Sequence, residues 1–252
     1  MRRLSRYAQL LSGPRRSPLF DRHLAYLLVV IAGALNSVGF VAVGLYTSHM
    51  TGMTASAADH LMAGDGGLVI AAVSGIASFV LGAMVCTVVF SWGRRRRMSS
   101  RYALVLALEG MLMLIIGLLA GRFEGPETEV VLVIPLCFTM GLQNALITRI
   151  RDFPVRTTHV TGMITDLAAE LGRLVCRDDG PDTRADREKL GVLSLLVALF
   201  FLGGIIGTLG YWWLGFGALV VGAVLILAAA LPPILRDLRR RRVPAVRARV
   251  GA

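Results

Sequence analysis

Two histidines sit in near-copies of one heptapeptide. Thr47-Ser48-His49-Met50-Thr51-Gly52-Met53 recurs as Thr157-Thr158-His159-Val160-Thr161-Gly162-Met163, 110 residues further on. The chain has only four histidines, so their shared place in the two copies argues for duplication rather than chance. Imidazole accepts or releases a proton near neutral pH, and it donates and accepts hydrogen bonds at once. The hydroxyls of Thr47, Ser48, Thr51, Thr157, Thr158 and Thr161 can coordinate a small polar solute or a cation. Thr51-Gly52 and Thr161-Gly162 permit a break in the backbone followed by a helix start. The free N–H groups of such a start suit an anion. The plainer alternative is that the motif only packs and caps helices.

Amides and acids extend this candidate set. Asn36 and Asn144 are 108 residues apart, each inside an apolar stretch, and Gln143 adds a second amide beside Asn144. Such groups either line a solute path or bridge helices. Glu109 is the one acid within an apolar stretch. A carboxylate at that depth is costly, which makes it a candidate for proton coupling, with pairing to Arg101 as the alternative. Asp166 follows the second motif and is the other proton-coupling candidate, although Ser56 holds its place in the first copy. Asp59, His60 and Glu170, the last two at equivalent positions, read as water-facing, with a titratable cluster as the alternative.

These residues are set in a membrane protein. The chain is 55% hydrophobic and 17% charged over 252 residues, too little charge for a soluble domain of that length. Apolar blocks run over 24–47, 68–93, 102–121 (interrupted only by Glu109), 130–148 and 190–235. Roughly 20 apolar residues cross a bilayer as a helix, so each of the first four is one span. The last is two, divided at Tyr211-Trp212-Trp213-Leu214-Gly215-Phe216-Gly217, where a turn would hold aromatic rings at headgroup level. Six transmembrane helices are therefore expected in an all-α integral membrane protein. Residues 1–23 read as a basic, unstructured tail, 24–235 as one membrane domain, and 236–252 as a basic tail.

The net charge of +11 is distributed with a bias. Of the 27 Lys and Arg residues, 26 fall before span 1, between spans 2 and 3, between spans 4 and 5, or after span 6. Those four regions share one side of a six-span chain, so both termini are expected in the cytoplasm. Topology accounts for every basic run, which leaves no call for a nucleic-acid partner. The Arg-rich segments, Arg239 to Arg242 among them, are expected to meet anionic lipid headgroups.

The duplication reaches beyond the motif. Phe79, Leu81, Gly82 and Thr87 match Phe200, Leu202, Gly203 and Thr208 at a constant offset of 121. Repeat one then covers 24–121 and repeat two 130–235. Three spans is an odd number, so the second repeat is inserted upside down, the ground plan of many small-solute transporters. Leu167, Leu171 and Leu174 recur at helical spacing after the second motif. A broken or re-entrant helix is expected after spans 1 and 4, with a surface loop and an interfacial helix as the alternative. The two motifs are expected to approach each other near the bilayer midplane.

Other chemistry finds little support. Cys86, Cys137 and Cys176 have no metal or redox spacing and read as structural. Gly82, Gly203, Gly204 and Gly207 read as points of close helix approach. A phosphate loop, a zinc-protease helix and a nucleophile elbow are all missing, so neither a metal, a cofactor nor an enzymatic activity is expected.

Ser48-His49-Met50-Thr51-Gly52, Gly141-Leu142-Gln143-Asn144-Ala145, Arg156-Thr157-Thr158 and Thr161-Gly162 resemble the YoaK-like family of uncharacterised bacterial inner-membrane proteins. The resemblance spans about 24–235. It implies a six-span protein of the bacterial cytoplasmic membrane and little about activity. The family pattern often carries Asn where this chain has Met53. The expected function is passive or proton-coupled movement of a small polar or ionic solute across the bilayer. A non-transporting accessory or sensor protein is the first rival, and an intramembrane enzyme using His49 or His159 the second.

Overall fold

The computed structural model describes residues 18–122, 128–150, 159–175 and 186–250. The expected N-terminal tail, Thr157 and Thr158 lie outside them, apart from residues 18–23. Eight α-helices and no strand occur among the described residues. They are α1 (Pro18–Val43), α2 (Met50–Ala63), α3 (Gly66–Arg95), α4 (Arg101–Leu119), α5 (Thr128–Ile147), α6 (Val160–Val175), α7 (Arg187–Leu214) and α8 (Gly217–Val250). Five are long and apolar enough to cross a membrane: α1, α3, α4, α7 and α8. In α5 the described apolar stretch is shorter, Val131–Ile147.

Each connection has a local cause. Gly44, at φ +70°, ends α1, and Gly64, at φ +77°, turns α2 back onto α3. Only glycine takes such angles without a Cβ penalty. Asp65 caps α3, its carboxylate accepting from Leu68 N at 3.2 Å. The division expected over Tyr211–Gly217 is present but narrower: Tyr211 to Leu214 still belong to α7, Gly215 has φ +56°, and α8 starts at Gly217. Trp212 and Trp213 are both exposed there, as headgroup-level rings would be.

One helix continues past its expected end. Residues 236–250, within the segment expected as a basic tail, continue α8. Arginine is a good helix former, so leaving the apolar zone is no reason to unwind. Near that exit Asp237 ties α8 to the start of α4. Its carboxylate accepts from Ser99 Oγ at 2.9 Å, Ser100 Oγ at 2.9 Å and Ser100 N at 3.2 Å. A carboxylate suits the N-terminal end of a helix.

The core is built from three main pairings, α1 on α7, α3 on α5 and α4 on α8. The first two depend on bare backbone approach. A Cβ on Gly33 would lie 2.1 Å from Phe200 O, and one on Gly203 would lie 2.2 Å from Val30 O. In the other pair, a Cβ on Gly141 would lie 2.0 Å from Phe79 O, and one on Gly82 would lie 2.0 Å from Phe138 O. No side chain fits at such distances, so each small residue is fixed by a carbonyl of the facing helix. The offsets of 108 and 121 convert the first pair of contacts into the second, residue for residue.

Candidate functional site

The chain after α1 does not run away from the helix. It folds back beside it. Asn36 Oδ1 accepts two hydrogen bonds, from Ser48 N at 3.0 Å and from Ser48 Oγ at 2.9 Å. Asn36 lies seven residues before the last residue of α1, or about 10 Å back along the axis. Thr47 is fully buried and packs on Gly39, where a Cβ would meet Thr47 Cγ2 at 2.7 Å. Its hydroxyl oxygen has no partner. The first motif is thus held level with Asn36, about 10 Å back along α1 from its last residue.

His49 is the N-cap residue of α2, yet its side chain makes no capping hydrogen bond. The exposed ring lies instead over the first turn of the helix, against Gly52. A Cβ on Gly52 would stand 2.0 Å from His49 Cδ2 and 2.5 Å from Nε2. The second copy repeats this arrangement: a Cβ on Gly162 would stand 2.2 Å from His159 Nδ1. In both copies glycine is therefore the residue that lets an imidazole fold onto a helix start. Thr51 and Thr161 are exposed on the same turns. Met53, where the resemblance points to Asn, is buried with its sulfur near Gly75, and serves packing.

The second set of amides is used differently. Gln143 is buried; its Nε2 donates to Leu28 O at 3.1 Å, and its Oε1 has no partner. Asn144 donates to Met140 O of its own helix at 3.1 Å. Leu28 and Asn36 are eight residues apart on α1, about 12 Å. The two polar levels thus straddle the middle of the apolar segment Arg22–Val43. Among the described residues no hydrogen bond or ion pair joins the His49 turn to the His159 turn.

The acids separate sharply. Asp166 is exposed. Glu109 is fully buried, and neither carboxylate oxygen has a hydrogen-bond partner. Arg101 does not reach it, lying instead over Phe90 and Tyr102, 5.2 Å and 5.8 Å from the ring centres. Glu170, expected to face water, is buried instead. It accepts from Asp186 N at 3.1 Å and pairs with Arg173 at 2.8 Å and Lys189 at 3.1 Å. Spacing alone grouped it with exposed Asp166, while its partners on and before α7 are distant in sequence.

Glu170 pins the amphipathic α6 to α7, and this has a pH consequence. The Asp186 N–H, Lys189 and Arg173 together hold its carboxyl below the ordinary value of 4.5. A lowered folded-state value means stability present above 4.5 and lost as pH falls through the folded value. Hydrogen exchange in α6 is therefore expected to accelerate as the pH falls below 4.5 and through the folded value, ahead of α3 and α5. Equal exchange in all three helices over that range would contradict the role given to Glu170.

Sequence reading missed one further residue, Arg149. Arg149 donates to Thr87 Oγ1 at 3.1 Å and lies 5.6 Å from the Phe90 ring centre. Its backbone carbonyl accepts from Tyr102 Oη. A basic residue immediately after an apolar span is the only sequence signal for it, and topology had already accounted for that charge.

The helices, their apolar lengths and the motif turns define a multi-pass membrane protein. The chain belongs to the DUF1275 family of proteins of unknown function, whose family model matches residues 24–231. No curated protein and no solved structure matches the chain.

Proposed function

We propose that this protein is a transporter or permease for a small polar or ionic solute, working passively or coupled to protons. In this reading six helices cross the membrane as two inverted repeats of three. The twenty residues of α5 give about 30 Å of helix, enough for the hydrocarbon core. The coincidence of the α1–α7 and α3–α5 contacts under the offsets 108 and 121 supports the repeat. The bias of basic residues supports cytoplasmic termini. The YoaK-like resemblance, and with it a bacterial inner membrane, belongs to the same proposal.

The observation that carries the reading is the depth of the first motif. Backbone that leaves a helix inside the bilayer is tolerated only where it meets protein or a water-filled cavity. Here it places an exposed imidazole and a helix start about 10 Å below the end of α1. Polar ends of broken helices at such depth form solute sites in transporters built of inverted repeats.

Two measurements test the proposal. In a variant lacking Cys86, Cys137 and Cys176, Asp65→Cys is expected to react with an impermeant thiol reagent from outside, and Gly180→Cys only from inside. The reverse pattern would sink the topology and the inverted repeat together. Purified protein in sealed liposomes is then expected to raise uptake of at least one class of small polar solute over empty vesicles. A flat result across amino acids, sugars, organic acids, inorganic anions and monovalent cations would favour a non-transporting accessory or sensor protein.

A further inference from the structure

Two groups of exposed arginines meet where α3 ends and α8 passes the start of α4. Arg94 to Arg97 close α3, and Arg236 and Arg239 stand on α8. Asp237 brings the groups together. It lies between Arg236 and Arg239, and its carboxylate accepts from Ser99 and Ser100, two and three residues beyond Arg97. Asp237 is the only acid in residues 68–108 or 190–252, and both its oxygens are taken by the serines. Arg94, Arg95, Arg97, Arg236 and Arg239 make no ion pair with any described residue.

Two local facts set this patch apart from a charge bias that only fixes topology. The first is the backbone of Arg97, at φ +51°. Met98 N donates to Gly93 O at 2.8 Å and Arg97 N to Arg94 O at 3.0 Å, the pattern that closes a helix on a left-handed residue, where glycine is usual. Topology and the helix dipole favour positive charge throughout this last turn. Neither calls for a side chain at the one backbone angle that suits glycine best, so arginine stands there against the local preference. The second fact is apolar surface leading up to the charges. Exposed Leu231, Leu235 and Leu238 form one stripe of α8, and Arg239 follows Leu235 at i, i+4 on that side of the helix. Trp92 is exposed on α3, with the Arg96 guanidinium 5.9 Å from its ring centre.

We propose that the α3–α4 turn and the adjoining part of α8 bind one phospholipid whose headgroup carries two phosphates. Its acyl chains lie along the leucine stripe. Arg96 and Arg97 take one phosphate, and Arg236 and Arg239 take the other, each through the planar fork that matches phosphate oxygens. The Asp237 carboxylate stands between the two arms. It repels a single phosphate placed centrally and favours two joined by a short neutral link. Six arginines against one acid supply the charge complementarity, and apolar flanks select a lipid over a soluble anion. The site rests on the membrane setting and not on the transport reading. With the topology proposed above it lies in the cytoplasmic leaflet.

The test is native mass spectrometry of the full-length protein in neutral detergent, titrated with diphosphatidylglycerol or with phosphatidylglycerol at equal phosphate. The wild type is expected to bind one diphosphatidylglycerol at a concentration about tenfold below that needed for phosphatidylglycerol, because the second phosphate binds as part of the same molecule. Arg97→Gly separates binding from folding. It is expected to melt, free of lipid, at or above the wild-type temperature, and to bind diphosphatidylglycerol about fivefold more weakly, the effect of one arginine near an anionic surface. Arg236→Gln combined with Arg239→Gln should weaken binding by about twentyfold or more. Arg122→Gln, exposed beyond the other end of α4, should leave it unchanged. Equal affinity for the two lipids would overturn the proposal, as would full binding by Arg97→Gly or by the α8 double variant. A loss in Arg122→Gln as large as in Arg97→Gly would reduce the effect to net charge and overturn it too. Inorganic pyrophosphate displacing the lipid at equal concentration would reassign the site to soluble phosphates.

Discussion

His49→Ala and His159→Ala are each expected to reduce solute uptake in liposomes to that of empty vesicles, with folding and membrane insertion intact. The structure separates the two effects cleanly. His49 is exposed, and its side chain makes no capping hydrogen bond, so truncation leaves no cavity and no orphaned donor. The stability cost should stay below about 1 kcal/mol, the usual size of a lost cap. The functional loss should be complete, because alanine supplies neither a proton carrier nor a ligand nitrogen. Thermal denaturation and uptake are therefore measured on the same preparations. Variants that melt with the wild type but do not transport are the expected pair. Near-normal uptake by both would make the duplicated motif scaffold and the accessory-protein reading the better one.

Much of the fold was legible because bilayer physics writes in composition. Charge-free blocks located the long helices, and ring and glycine content placed a break within 211–217, although Tyr211 to Leu214 stay helical and only Gly215 and Phe216 make the turn. Leu167, Leu171 and Leu174 marked α6, which runs Val160–Val175. The offsets of 108 and 121 named in advance the helices whose contacts correspond. What the sequence hid was long-range pairing. Glu170 and Asp166 share helical spacing, but only Glu170 meets Lys189. Asn36 read as an amide that lines a path or bridges helices, whereas Ser48 returns to it from beyond the end of its own helix. Asp237 read as part of a charged tail, yet it anchors the start of α4 from 137 residues away. The duplicated Thr-Gly suggested a backbone break, but the closer reason for its glycine is the ring above it. The sequence hides that reason, because a ring folded over the glycine three residues on leaves no periodic trace.

Gly52→Ala and Gly162→Ala provide the sharper test, because two effects of one methyl group oppose each other. Glycine in a helix is worse than alanine by about 1 kcal/mol, so propensity alone favours the variants. The added Cβ would stand 2.0 Å from His49 Cδ2 in the first copy and 2.2 Å from His159 Nδ1 in the second. Both are far inside contact distance, so the ring must swing off the helix start. The variants are expected to melt at or above the wild-type temperature and to lose transport as fully as the histidine variants. A double-mutant cycle then assigns the cause. In a His49→Ala background, Gly52→Ala has no ring to displace. It should add its full helix stabilisation and cost no further transport. If Gly52→Ala alone transports normally, the ring's seat on the helix is incidental. If it loses transport and also destabilises the protein in both backgrounds, the glycine serves packing rather than the imidazole.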